Sequence, residues 1–164
     1  MSTIRKGQAA PNFELSGMDG KTHSLREALT RGPILLVFFK VSCPTCQYTF
    51  PFVERLYQQF RLNGIQVWAV SQDNAPANQA FIQEFGITFP ILIDDYRYEA
   101  SRTYGVKFVP TIFLIKSDGK VELMSDGFAK NDLLVIQKWF AKHFSAAAAP
   151  LFLPSERVPE FKPG

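Results

Sequence analysis

An α/β fold, with a central mixed β-sheet flanked by helices, is what the order of apolar segments in this chain predicts. Three observations carry it. Ile34 to Phe39 is an unbroken apolar run bounded by turn residues, the mark of a strand buried on both faces. Strand-like and helix-like segments alternate around it, which favours parallel pairing through crossover helices. Late in the chain, residues 111–115 and 121–124 are strand-like and are separated by Ser117-Asp118-Gly119-Lys120, a turn signal that makes a hairpin and an antiparallel edge.

The elements follow in order. Residues 13–15 read as a first strand, and residues 17–20 turn it so that residues 21–23 return as a second. Ser24 is suited to cap a short helix over residues 25–29, which Gly32-Pro33 ends. After the central run, a helical pattern covers residues 44–62, apolar at Phe52, Val53, Leu56, Tyr57 and Phe60. Pro51 lies inside it and predicts a kink, and Asn63-Gly64 closes it. Residues 65–70 read as a strand, 77–85 as a helix, 89–93 as a strand and 99–104 as a short helix. Beyond the hairpin, Asn131 is expected to cap a last helix over residues 132–143, with Leu133, Leu134, Ile136, Trp139 and Phe140 facing inward. These elements make one domain, residues 1–144, with no internal repeat.

Residues 145–164 form a separate tail. Pro150, Pro154, Pro159 and Pro163 exclude a regular helix or a central strand, so an extended course is expected. Leu151, Phe152, Leu153, Val158 and Phe161 are more apolar than a disordered linker requires. The tail is therefore expected to lie on a surface, its own domain's or a partner's.

Composition narrows the function. Of 164 residues 46% are hydrophobic and 20% charged, which is enough apolar material to fold without a metal or disulfide staple. The net charge of +3 is spread without a basic run, so no nucleic-acid partner is expected. No run of about 18 apolar residues occurs, so no membrane span is expected. The first residues carry no apolar leader, which suggests the cytoplasm, or the periplasm if a leader has been trimmed.

The two cysteines, Cys43 and Cys46, form one local pair, in a chain that can fold without them. That points to redox work or metal binding. A buried strand, then Cys43, then a helix puts the first cysteine at a helix N-terminus, where unpaired N–H groups and the dipole favour an anion. The thiolate is such an anion and is the reactive form of cysteine. Cys46 falls on the same helical face, close enough to close a small disulfide ring. A structural disulfide or a pair of inert thiols is the plainer alternative. No metal site is expected, because zinc wants four ligands and the two histidines, His23 and His143, have no ligand spacing. Lys40 either adds positive charge near Cys43 or is an ordinary solvated loop residue, and the second reading is favoured.

A second signal is Phe108-Val109-Pro110-Thr111, a proline at the entrance of an apolar strand. With it the chain resembles the thioredoxin superfamily, in the redoxin branch that includes TlpA-like thiol-disulfide reductases and AhpC/TSA-type peroxiredoxins. The resemblance rests on residues 7–15 as an entry strand and on Cys43-Pro44-Thr45-Cys46 with Phe50-Pro51 as the active-site helix. Tyr104-Gly105-Val106, Val109-Pro110-Thr111 and Ser117-Asp118-Gly119 look like the closing ββα unit. It spans about residues 7–144. It implies a thioredoxin-like fold and a cis Val109–Pro110 bond facing the cysteines, with Val109 backbone pairing to an extended substrate as an added strand would. It also implies Gly127 as a second substrate-side backbone position, with Pro44 and Thr45 beside it. Val41, Pro44, Phe108 and Phe128 either form an apolar rim or are ordinary half-exposed residues.

The chain departs from the family at three places. Thioredoxins carry a buried aspartate six residues before the first cysteine, where this chain has Val37. TlpA-like reductases often carry a glutamate three residues after the second cysteine, where this chain has Thr49. The peroxiredoxin proline and hydroxyl positions hold Leu36 and Lys40 counted from Cys43, or Phe39 and Cys43 counted from Cys46.

The expected activity is reversible dithiol–disulfide exchange, running as reduction. Cys43 is the nucleophile, Cys46 the resolving thiol and Pro110 the residue that shapes the substrate groove. The substrate would be a protein or small-molecule disulfide and the electrons would come from a reductase, so no cofactor is needed. The rival readings are a thiol peroxidase and a non-enzymatic interaction module with an idle pair and a recruiting tail.

Overall fold

All six side chains of β3 (Ile34–Phe39) are fully buried, and a computed structural model describing residues 2–164 arranges the molecule around them. Before it come β1 (Glu14–Gly17), β2 (Thr22–Ser24) and α1 (Leu25–Leu29). After it come α2 (Pro44–Phe60), β4 (Gln66–Ser71), α3 (Ala75–Phe85), β5 (Ile91–Ile93) and α4 (Glu99–Thr103). The chain closes with β6 (Thr111–Ile115), β7 (Val121–Asp126), β8 (Phe128–Ala129), α5 (Lys130–Phe144) and β9 (Phe161–Lys162). Seven strands form one mixed sheet in the order β2-β1-β5-β4-β3-β6-β7. β3 runs parallel to β4 and antiparallel to β6, and β4 runs parallel to β5.

The alternation of side chains along β3 divides the interior in two. Leu35, Val37 and Phe39 face α2, α3 and α5 in a layer rich in phenylalanine, including Phe50, Phe60, Phe81 and Phe140. Ile34, Leu36 and Phe38 face α1 and α4, with Trp68, Tyr104 and Phe113. Helices thus cover both faces, and the fold is thioredoxin-like with a central mixed sheet.

Local chemistry explains where observed boundaries differ from the expected ones. β5 starts at Ile91 because Pro90 has no N–H for the ladder; its carbonyl still accepts from Ala69 N–H at 3.0 Å. α3 starts at Ala75 because the Asn74 side chain caps it, accepting from Ala77 N–H at 3.0 Å. Asn131 does not cap α5, which begins at Lys130 after Ala129 with no side-chain cap. Leu134 and Trp139 are only half-buried, while Gln137 is buried and bonds the Gln59 side chain and the Ala149 carbonyl. α2 runs unbroken past Pro51 and tightens into a 3-10 turn before Gly64, which adopts φ 90°. In the hairpin, Gly119 at φ 85° allows Lys116 and Lys120 to close the β6–β7 turn.

Residues 145–164 return across α5 and α2. Leu151 is buried, and the Phe152 ring packs 4.9 Å from Phe52 and 6.2 Å from Phe128. Arg55 holds the Leu151 carbonyl at 2.8 Å and the Glu156 carboxylate through two bonds of 2.7 and 2.8 Å. The segment is not wholly extended: it contains a 3-10 turn at Pro154–Glu156 and the two-residue strand β9.

Candidate active site

The loop after β3 delivers Cys43 to the first turn of α2 as its N-cap, with extended backbone and Pro44 directly after. Pro44 suits that position because the N–H it lacks would have had no helical partner. The Cys43 sulfur accepts from Cys46 N–H at 3.2 Å, so one of the helix's unpaired donors points at it. The loop is held from two sides: Val41 N–H donates to the Asp73 carboxylate at 2.8 Å, and the Gln47 amide donates to the Val41 carbonyl at 2.8 Å.

Both thiols are free, and they sit in different surroundings. Cys43 is half-buried, whereas Cys46 is fully enclosed. Burial pushes the Cys46 thiol well above its ordinary range, and the Cys43 sulfur beside it and the Asp73 carboxylate push the same way. The residues in place of the family's carboxylates are apolar or neutral. Val37 is buried in β3, and buried Thr49 donates to the Thr45 carbonyl at 2.7 Å.

The fold brings the second signal to the first. The Val109–Pro110 bond is cis, and the Cys43 thiol donates to the Val109 carbonyl at 3.3 Å. Gly127, at φ 71°, donates its N–H to the Pro110 carbonyl at 2.8 Å. Val109, Gly127 and the start of α2 therefore form one surface around Cys43. Pro44 and Phe108 are exposed there and Val41 is half-buried. Phe128 is not part of a rim: it is fully buried beneath Tyr48, Phe52 and Phe152. Lys40 is exposed. His23 pairs with Asp19, and His143 stacks on Trp139, away from the cysteines.

Two features of the site went unread in the sequence. Asp73 follows the C-terminal end of β4, where α/β sheets gather functional groups, and that position was the available signal. The other is the end of the tail. Thr45 Oγ1 donates to the Pro163 carbonyl at 2.6 Å, so Thr45 is covered by the tail.

Comparison with known proteins agrees with this geometry. The model of the AhpC/TSA family matches residues 6–124. The thiol-disulfide oxidoreductase ResA of Geobacillus thermodenitrificans is 33% identical over 134 residues, covering 80% of this chain and 76% of its own. A crystal structure described as the thiol:disulfide interchange protein DsbE from Chlorobium tepidum superposes with a TM-score of 0.76 at 28% identity, covering 87% of this chain and 99% of that one. Peroxidoxin BcpB from Mycobacterium tuberculosis, at 20% identity and a TM-score of 0.72 over 85% of this chain and 97% of its own, shares the fold. A Cys-x-x-Cys pair at a strand-to-helix junction, on this scaffold and with these relatives, is a thiol–disulfide oxidoreductase site, and the chain belongs to the AhpC/TSA family, in the redoxin branch of the thioredoxin superfamily.

Proposed function

We propose that Cys43 is the attacking thiol and Cys46 the resolving one. The observation that carries this is their unequal access: Cys43 is half-exposed at a helix N-terminus with an N–H aimed at its sulfur, and Cys46 is sealed beneath it. The Cys43 thiolate attacks one sulfur of a substrate disulfide, forming a mixed disulfide and releasing one substrate thiolate, which takes up a proton. The Cys46 thiol then loses its proton to water or to the departing thiolate and attacks the Cys43 sulfur, releasing the second substrate thiol. One substrate disulfide becomes two thiols, and the pair becomes a Cys43–Cys46 disulfide. The high proton affinity of Cys46 keeps it from competing for the first attack.

In this reading Val109 and Gly127 present backbone to an extended substrate segment, Pro110 sets the loop and Pro44 and Thr45 flank the sulfur. Residues 1–144 supply the catalytic domain and residues 145–164 an appended arm. The substrate is a protein or small-molecule disulfide, and a reductase returns the pair to the dithiol; no other cofactor takes part. A potential near thioredoxin's, about −270 mV, would mark a reductant suited to the cytoplasm, and one near DsbA's, about −120 mV, an oxidant suited to the periplasm. We favour the former. Among the described residues no helix is long and apolar enough to cross a membrane.

The test of the assignment is trapping. Cys46→Ala should accumulate mixed disulfides with substrate proteins, and Cys43→Ala should accumulate none. Equal trapping by both variants would reverse or abolish the order of attack.

A further inference from the structure

The surface that a substrate chain needs is already occupied. β9 (Phe161–Lys162) pairs antiparallel with β8, Lys162 opposite Phe128 and Phe161 opposite Ala129, and Lys130 N–H donates to the Glu160 carbonyl at 3.0 Å. The chain then passes Gly127 so closely that a Cβ built there would lie 2.6 Å from the Lys162 carbonyl oxygen. Pro163 takes the Thr45 hydroxyl. Gly164 comes to rest on the loop before β6, where a Cβ at 164 would lie 2.5 Å from the Val109 carbonyl oxygen. The last four residues thus touch Gly127 and Val109, the two backbone positions assigned above to an incoming substrate, and Thr45 beside the sulfur.

We infer that Phe161–Gly164 is a built-in pseudosubstrate that fills the substrate groove by strand addition and sets which disulfides reach Cys43. This rests on the reading of Cys43, Val109 and Gly127 given above. A small disulfide needs only the half-exposed sulfur and passes beside the strand. A protein disulfide brings an extended chain, which must displace the strand before its sulfur can align.

The arm is built for a releasable contact. Its upstream part is fixed by buried Leu151, by Phe152 and by the Arg55–Glu156 pair. The terminal part is held more loosely: Pro159, Glu160, Phe161, Pro163 and Gly164 are exposed and Lys162 is half-buried, and its side-chain contacts include the Lys162 ammonium 4.9 Å from the Tyr48 ring and a 3.9 Å pair of Glu160 with Lys130. Pro159 and Pro163 flank the paired residues and have no N–H, so neither can donate to a longer ladder. A few backbone bonds, each worth about 1 kcal/mol net, hold a free peptide of this length only weakly. Tethered through the anchored arm, the same strand competes at an effective concentration of about millimolar. Gly164 is matched to its place, because any side chain there would meet the Val109 backbone.

The experiment compares the full chain, a chain ending at Val158 and the full-length Gly164→Val variant. Each is reduced and mixed in single turnover with insulin and with hydroxyethyl disulfide. Insulin reduction should rise about fivefold or more in both altered chains, while hydroxyethyl disulfide reduction stays within about twofold. A synthetic peptide of residues 159–164 should bind the shortened chain and not the full one, and the Lys130 amide should lose its protection from hydrogen exchange when the strand is removed. Unchanged or slower insulin reduction by the altered chains would overturn the pseudosubstrate. If no form reduced either disulfide, the assignment of the cysteines would fall instead. Peptide binding and Lys130 exchange would still decide whether the strand occupies the groove.

Discussion

Cys46 concentrates the chemistry of the site in one buried thiol. Its folded proton affinity lies above the ordinary value of 9.0, chiefly because a thiolate there would have no water around it. The linkage has a definite sign. Below pH 9 the thiol is protonated in both folded and unfolded chains, and its contribution is constant. Above pH 9 only the unfolded chain ionises, so the reduced protein should lose about 1.4 kcal/mol per pH unit from this group. Tyr104, also raised by burial, adds a loss of the same sign that starts from its ordinary value of 10.0. Denaturant midpoints of reduced wild type and Cys46→Ala between pH 8 and 10.5 separate the two. The wild type should fall more steeply from pH 9, and parallel curves would contradict the burial argument. Alanine is the right replacement, because a serine hydroxyl would need a partner in an enclosed site.

Two elements position the pair, and a third covers it. β3 carries the loop to Cys43, and β6 follows the turn that presents Val109. The covering element is the arm, whose attachment depends on Arg55 meeting Glu156 in a two-bond pair. The Arg55 guanidinium beside Glu156 holds its carboxyl down to about 2, from an ordinary 4.5, with the Leu153 N–H contributing further. A lowered folded value gives stability that is complete above pH 4.5 and is lost as pH falls through about 2. The stability difference between wild type and Glu156→Gln should therefore be constant from pH 7 to about 5 and vanish near pH 2. It should also shrink in high salt, because the pair is open to solvent. A difference that disappeared by pH 4 would mean that the carboxylate is not paired in solution.

At the scale of the whole molecule, the scaffold is shared by disulfide reductases and by a peroxidoxin, so the fold does not choose between them. The site does. A peroxidase must stabilise charge on the departing oxygen with placed donors. Here the hydroxyl position holds exposed Lys40, Arg97 stacks on the Tyr96 ring at 5.1 Å, and Arg102 is exposed on α4. The donor that does reach the Cys43 sulfur is the Cys46 N–H. Reduced protein mixed with hydrogen peroxide in a stopped-flow instrument should react within about tenfold of a free thiol, and far more slowly than with a reactive disulfide. Oxidation of Cys43 orders of magnitude faster than that would restore the peroxidase reading.

The sequence by itself determined what local pattern can encode. The six apolar residues of β3 announce a doubly covered strand. The Ser117–Lys120 turn signal announces the β6–β7 hairpin, and Cys43-Pro44 announces a capped helix whose first turn holds a sulfur. These are readable because propensity, capping and periodicity act over a few residues. Boundaries slipped where a neighbour decided them, as at Asn131, which lies inside α5 and not at its cap. Val109 opposite Cys43 was expected from the family resemblance and from no local pattern, and only the tertiary structure decided two other pairs distant in sequence: Asp73 with Val41, and Thr45 with Pro163. Phe128 shows the same limit, since the rings that cover it come from α2, as Tyr48 and Phe52, and from the tail, as Phe152. Prolines in residues 145–164 excluded a regular helix, but which surface the tail joins depends on complementary shape across the folded molecule. No local pattern contains that information, because the partners of Pro163 and Gly164, on α2 and on the loop before β6, come together only in the folded molecule.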